Sequence, residues 1–135
     1  MSDIRVEASW VGGLRFEAVG KAGVPVLVDG DGERAISPVE TLSVALAGCM
    51  GADVVDILRK GRIELGGLTV RVEGDRRPEP PRRYTALRLD FLASGVAASD
   101  MDKLERAVDL SREKYCSVLH SLRPDLDVAI RIETD

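Results

Sequence analysis

Alternating apolar and polar residues mark three stretches of the chain, 4–11, 14–19 and 126–133, as half-buried β-strands. Three further stretches, 24–28, 68–73 and 84–92, are predicted to be strands as well. Glycine-bearing turns separate the first three strands along the chain, which predicts a meander of antiparallel strands. Pro25 has no backbone N–H, so the third strand is expected at a sheet edge or to begin at the proline.

A long apolar segment between the third and fourth strands has the pattern of a helix. Ser37, Pro38 and Glu40 fit an N-cap, a first helical turn and a capping box. Residues 41–52 carry no charge on any side, so we predict a buried helix that ends near Lys60. Twelve uncharged residues are too few to span a bilayer, and we predict no membrane contact.

A second helix is predicted after Ser99–Asp102, where an N-cap candidate precedes acidic residues. Its apolar face at helical spacing consists of Leu104, Ala107, Val108 and Ser111. The pattern stays compatible with a helix as far as His120, and a new turn could begin near Cys116.

The element order is βββ-α-ββ-α-β. We predict an α+β fold in a single domain of residues 1–135, with a mostly antiparallel sheet and helices packed on one face. A helix that is apolar on every side needs more cover than one sheet provides. We therefore predict a homodimer with the first helix near its interface.

Composition narrows the class of protein. Of 135 residues, 44% are hydrophobic and 31% are charged, as in ordinary globular proteins, and the net charge of −4 argues against a nucleic-acid partner. The first residues lack the apolar stretch of a secretory signal. We expect a cytoplasmic protein whose two cysteines are reduced.

Cys49 and Cys116 are the residues best suited to chemistry. Cys49 lies among small residues of the apolar helix, which either let another element come close or leave a pocket at the thiol. Lys114 and a helical turn at Cys116 would favour a thiolate there. Free cysteine is also often a small buried hydrophobe, and both readings stay open. His120 could complete a metal site with the two thiols, but without a Cys-x-x-Cys spacing we predict no metal, and no motif indicates a cofactor.

The segments around these cysteines resemble the OsmC/Ohr family. The first is Ser37-Pro-Val-Glu-Thr-Leu with Ala47-Gly-Cys49 and residues 52–62, and the second is residues 107–118 with their Lys-Tyr-Cys. The stretch that begins at Asp53, Asp-Val-Val-Asp-Ile-Leu, is most similar to the YhfA-like branch. The resemblance covers essentially the whole chain and implies an OsmC-like fold in an intertwined dimer.

The resemblance also implies a reaction. The cysteine that matches Cys49 attacks an organic hydroperoxide and becomes a sulfenic acid, which condenses with the cysteine that matches Cys116. A small dithiol or a lipoylated protein reduces the disulfide. A second thiol nearby would trap the sulfenic acid before further oxidation.

In the family's peroxidases a glutamate and an arginine activate the thiolate. Glu40 stands one position after the family's glutamate, because Val39 follows the proline here. It is also about 13 Å along a helix from Cys49, so a role as a helix cap is the alternative. Arg15 and Arg34 are both candidates for the arginine.

Three hypotheses follow. The first is a thiol-dependent peroxidase with Cys49, Cys116 and Glu40 as catalytic residues. The second is a non-catalytic dimer of the same fold that binds a small apolar or thiol-bearing ligand in the interface cleft. The third is a structural dimer whose cysteines only pack.

Overall fold

The strands and long helices follow the order that the sequence predicts, in a computed structural model that describes residues 2–135. The strands are β1 (Glu7–Gly12), β2 (Arg15–Val19), β3 (Val26–Asp29), β4 (Gly67–Arg76), β5 (Tyr84–Ser94) and β6 (Asp127–Thr134). The helices are α1 (Pro38–Lys60), α2 (Met101–Leu110) and the single turn α3 (Ser117–His120). The predicted α+β class and element order are therefore confirmed, with α3 as a short addition.

The strands are divided between two sheets, each within its own compact unit. The first unit ends at Ser43 and contains the sheet β1-β2-β3, while the unit Val44–Asp135 contains the sheet β4-β5-β6. Three of the four strand pairings are antiparallel, as predicted, and β5 and β6 are parallel. The single domain of residues 1–135 stays a prediction.

The sheet of the first unit has a strongly apolar face that is open to solvent. Trp10 pairs with Phe16 across β1 and β2, and Ala18 pairs with Val26 across β2 and β3. Trp10 is 68% exposed, Phe16 42% and Val26 51%. An apolar surface of this kind indicates a surface that is covered by something else.

The core of the second unit lies between β5 and the two long helices. β5 is the middle strand of its sheet, and its alternate residues Leu87, Leu89, Phe91 and Ala93 are buried on one face, whereas Arg88 on the other face is exposed. The buried side chains are Leu46, Met50, Val54 and Leu58 of α1, Leu87, Leu89, Phe91 and Ala93 of β5, and Leu104, Ala107 and Val108 of α2. The predicted apolar face of α2 is thus confirmed.

Helix α1 is buried along one stripe only. The stripe repeats every four residues, from Leu46 to Leu58. On the other side of the helix Val44 is 55% exposed, and Gly48 and Ala52 are exposed as well. The prediction of a helix buried on all sides is wrong for the chain by itself, because one sheet and α2 cover only one flank.

By length and composition, α1 could also cross a membrane. It has 23 residues, more than the uncharged run of twelve indicated, since the helix continues through the charged residues that follow that run. This is a weak indication, because the core helix of a soluble protein meets the same criteria. The buried stripe of α1 belongs to the core of the second unit.

The chain enters and leaves α2 through irregular turns. Ser99 lies in a 3₁₀ turn, Ala98–Asp100, and Asp100 is the N-cap residue of α2. The prediction that Ser99 caps the helix is therefore wrong. After α2 a π-helical turn, Ser111–Tyr115, ends where the Cys116 amide donates to the Ser111 carbonyl at 2.9 Å. Cys116 is then the N-cap of α3. The new turn expected near Cys116 is therefore confirmed.

Candidate functional site

Helix α1 and the turn after α2 bring the two cysteines together. The Cys49 Sγ, a carboxylate oxygen of Asp53 and the Cys116 Sγ all lie within 4.8 Å of one another. Cys49 and Asp53 are four residues apart on α1 and therefore share one face of the helix. Cys116 reaches the same place because the π-helical turn ends there. We call these three residues the Cys49–Asp53–Cys116 cluster.

The two thiols differ in exposure. Cys49 is half-buried, whereas Cys116 is completely buried. Burial raises the pKa of Cys116 to about 11, and the nearby Cys49 thiol raises it further in a smaller measure. The backbone amide of Leu119 donates to the Cys116 Sγ at 3.4 Å and lowers the pKa, but by less than burial raises it. Cys116 is therefore a protonated thiol at neutral pH.

The expectation that Lys114 favours a thiolate at Cys116 is wrong. The ammonium group of Lys114 lies 5.3 Å from the centroid of the Tyr115 ring, in an exposed cation–π contact. The amide of Leu119 does contribute in the expected direction, but the loss of hydration outweighs it.

Ser111 connects Asp53 with the Cys116 backbone, and the sequence analysis missed this link. The Ser111 hydroxyl donates to Asp53 Oδ2 at 2.9 Å, and its carbonyl accepts from the Cys116 amide at 2.9 Å. Ser111 is completely buried. The only local signal in the sequence is that Asp53 follows Cys49 by four residues, because the spacing of Ser111 indicates no more than a place on the apolar face of α2.

Glu40 and the two candidate arginines lie in the first unit. Glu40 Oε1 accepts from the Ser37 amide at 3.0 Å, and the Glu40 amide donates to Ser37 Oγ at 3.2 Å, which confirms the capping box. The Ser37 backbone amide, and after it the Ser37 side chain, hydrogen-bond the Glu40 carboxylate and lower its pKa. The Arg34 amide donates to Asp29 Oδ2 at 3.0 Å, and Arg15 pairs with Asp29 across β2 and β3. A catalytic role for any of the three stays a prediction.

His120 is exposed and engaged elsewhere. Its Nε2 lies 3.0 Å from the Arg112 carbonyl oxygen. The sequence suggests His120 as the third ligand of a metal site with Cys49 and Cys116. The structure brings Asp53 to the two sulfur atoms instead.

A shallow groove of about 610 Å³ runs along the open side of α1. Its floor is made of small residues, and a Cβ at Gly51 would lie 3.5 Å from Val70 of β4. The lining residues are Val44, Ala47, Gly48, Gly51, Ala52, Val55, Asp56, Arg59, Leu68 and Val70. The small residues thus let β4 come close to the helix, as one of the two predictions has it. The groove is not the pocket expected at the thiol, because Cys49 is not among its lining residues.

Comparison with known proteins assigns the chain to a family. Residues 30–131 match the family model of OsmC-like proteins. Protein YhfA of Escherichia coli K12 is 39% identical over 126 residues, which are 93% of this chain and 93% of that protein. The chain therefore belongs to the OsmC family, and its resemblance to the YhfA-like branch is confirmed.

Solved structures share the fold. A hypothetical protein from Aquifex aeolicus VF5 superposes with a TM-score of 0.88 at 32% identity, over 100% of this chain and 98% of that one. The organic hydroperoxide resistance protein OsmC from Legionella pneumophila superposes with a TM-score of 0.67 over 98% of each chain. At 14% identity the second likeness shows the fold alone. A protein described as an organic hydroperoxide resistance protein thus has the same fold as this chain.

Proposed function

We propose that this protein reduces organic or other hydroperoxides, with Cys49 as the attacking thiol and Cys116 as the resolving thiol. The observation that carries the proposal is the approach of the two sulfur atoms to within 4.8 Å. They come from α1 and from the turn after α2, so a disulfide between them would cross-link the two helical segments of the core. A small movement of the side chains would bring them to bonding distance.

The reaction balances in two steps. The Cys49 thiolate attacks one oxygen of the peroxide, the O–O bond breaks, and the alkoxide takes a proton to leave as an alcohol. Cys49 is then a sulfenic acid. The Cys116 sulfur attacks the Cys49 sulfur, and the hydroxyl group leaves with the Cys116 proton as water. Two thiols and one hydroperoxide thus give a disulfide, an alcohol and water, and a dithiol or lipoylated protein restores the thiols.

The difference in burial supports this division of roles. A substrate from solution can reach the half-buried Cys49, whereas Cys116 is completely buried. Because the pKa of Cys116 is raised to about 11, its thiol does not compete for peroxide at neutral pH. We keep Glu40 as a candidate activating residue, although its capping box favours the structural role.

A homodimer in the cytoplasm is part of the proposal. The open apolar face of β1-β2-β3, with Trp10, Phe16 and Val26, supports it, as does the exposed Val44 on α1. We expect sedimentation equilibrium to give twice the mass of the chain. Trp10→Arg should shift the equilibrium toward the monomer. A monomeric mass for the wild-type protein would contradict the proposed homodimer.

The second candidate function is binding of a small apolar or thiol-bearing ligand without catalysis. The groove along α1 favours it, because its lining is mostly apolar and its volume is about 610 Å³. Gly48→Leu is a suitable probe, since a Cβ at Gly48 meets nothing within 4 Å and a leucine would occupy the groove.

The deciding experiment is intact mass under non-reducing conditions after one equivalent of cumene hydroperoxide. We expect wild type to lose two hydrogens, Cys49→Ser to stay unchanged, and Cys116→Ser to gain one oxygen. An unchanged wild-type mass would reject peroxide reduction for this substrate. Ligand binding that Gly48→Leu abolishes and Cys49→Ser preserves would then support the second function.

A further inference from the structure

We propose that the reduced Cys49–Asp53–Cys116 cluster binds a divalent metal ion of the zinc type. The family resemblance assigns the two cysteines to redox chemistry and gives Asp53 no role. The structure places its carboxylate with both sulfur atoms. The cluster thus offers two soft ligands and one hard anionic ligand at one point.

The spacing fits one ion. Zinc binds thiolate sulfur at about 2.3 Å and carboxylate oxygen at about 2.1 Å, so tetrahedral angles place two sulfurs about 3.8 Å apart and a sulfur and an oxygen about 3.6 Å apart. The three ligand atoms already lie within 4.8 Å of one another. Rotamer adjustments on the order of 1 Å would bring them onto the ion.

The ligands are held in place by their neighbours. Cys49 and Asp53 project from successive turns of α1, the longest helix of the fold. The buried Ser111 hydroxyl donates to Asp53 Oδ2, and the Ser111 carbonyl holds the Cys116 amide, both at 2.9 Å. The Ser111 hydroxyl thus orients the Asp53 carboxylate, which has two oxygen atoms and can accept this bond and bind an ion as well. Hydrogen bonds of this kind orient metal ligands and strengthen their affinity.

The chemistry of the ligands selects the ion. Two thiolates favour Zn²⁺ and Co²⁺ over Mg²⁺ and Ca²⁺, which prefer oxygen. Each thiol gives up its proton as the metal binds, so the ion neutralises two of the three negative charges that the cluster then carries. Cys49 is only half-buried, so a water molecule from that side would take the fourth position.

Metal binding and disulfide formation exclude each other, because both use the same two sulfur atoms. Oxidation by a hydroperoxide would release the ion, and the bound ion would slow the oxidation. Only this coupling rests on the proposed function. Binding itself requires the reduced thiols and no peroxide, so the two proposals can fail separately.

The test is an anaerobic titration of the reduced, metal-free protein with Co²⁺. We expect one ion per chain, a sulfur-to-cobalt charge-transfer band in the near ultraviolet, visible bands of tetrahedral intensity, and displacement of Co²⁺ by Zn²⁺. Cys49→Ser and Cys116→Ser should each lower the charge-transfer intensity. Asp53→Asn should weaken affinity at least as much as loss of an orienting partner does, which is roughly 10–100-fold.

Asp56→Asn is the matched control. Asp56 lies on the same helix, is exposed, and pairs with Lys60 at 2.8 Å. It should leave the affinity for Co²⁺ unchanged, and circular dichroism should show all variants folded. Absence of the charge-transfer band in the wild type would overturn the proposal. Equal affinities of Asp53→Asn and Asp56→Asn would overturn it as well, because they would remove Asp53 from the site.

Discussion

The hydrogen bond between Ser111 and Asp53 should be a main support of the second unit. Its Oγ–Oδ2 distance is 2.9 Å, and it joins the end of α2 to the middle of α1, 58 residues away in the chain. Ser111→Ala removes only the hydroxyl. The backbone carbonyl of residue 111 still accepts from the Cys116 amide, so the π-helical turn keeps its closing bond.

The size of the effect follows from the charge and the burial of the partners. Hydrogen bonds to charged groups contribute about 1.5–3 kcal/mol. Asp53 is half-buried, so water can replace part of the lost interaction, and we expect a loss of about 1.5–2 kcal/mol. For a chain of this length, that loss of stability corresponds to a melting temperature lowered by roughly 5–10 °C.

The assay is urea unfolding followed by circular dichroism, at a single protein concentration because a dimer would make stability depend on concentration. Ser121→Ala is the control: its hydroxyl donates to the Ser117 carbonyl at 2.7 Å, but both residues are exposed and the acceptor is neutral. We expect the control to change the free energy of unfolding by less than about 0.5 kcal/mol. If Ser111→Ala lowers the free energy of unfolding no more than the control does, Ser111 does not hold Asp53 in place in the cluster.

Three further predictions concern stability. Gly95→Ala should lower the free energy of unfolding by roughly 2–4 kcal/mol, because φ is +69° and a Cβ would lie 2.8 Å from the Gly66 backbone. The control Gly23→Ala, with φ +78° and open space around it, should lower it by only about 1–2 kcal/mol. Equal losses in urea unfolding would contradict this prediction. A hydrogen bond from Arg131 lowers the pKa of Asp90 against the opposing effect of burial, so stability is present above the usual carboxyl pKa and is lost as pH falls below it. Arg131→Met should weaken that acid dependence, and parallel urea midpoints between pH 6 and 3 would refute it. Because folded Cys116 keeps its proton up to about pH 11, the free energy of unfolding should fall as pH rises from about 9 to about 11, and Cys116→Ser should abolish this component; an identical alkaline profile in both proteins would exclude it.

The sequence by itself determined the elements of this fold. Strand alternation and helix-end signals act over a few residues, so the pattern could be read directly from neighbouring positions. The capping box of Ser37 and Glu40 is an example, since both partners lie within one turn. The two cysteine segments were also sufficient to indicate the family, as the match to residues 30–131 bears out.

The tertiary structure decided which elements meet. The parallel pairing of β5 with β6 and the separation into two sheets join residues far apart in the chain, and no local pattern specifies them. The sequence also does not show which side of α1 is buried. The run of twelve uncharged residues has no charged face, so only the packing of the sheet decides which side is covered.

The candidate site shows the same division. The sequence identified Cys49 and Cys116 as the reactive residues by type and motif, but not their distance, nor the burial that raises the pKa of Cys116. Asp53 and Ser111 joined the site only when α1 and α2 packed together. Local pattern determines what each residue can do chemically, whereas long-range packing determines its partners and its exposure to water, and these set the chemistry that it performs.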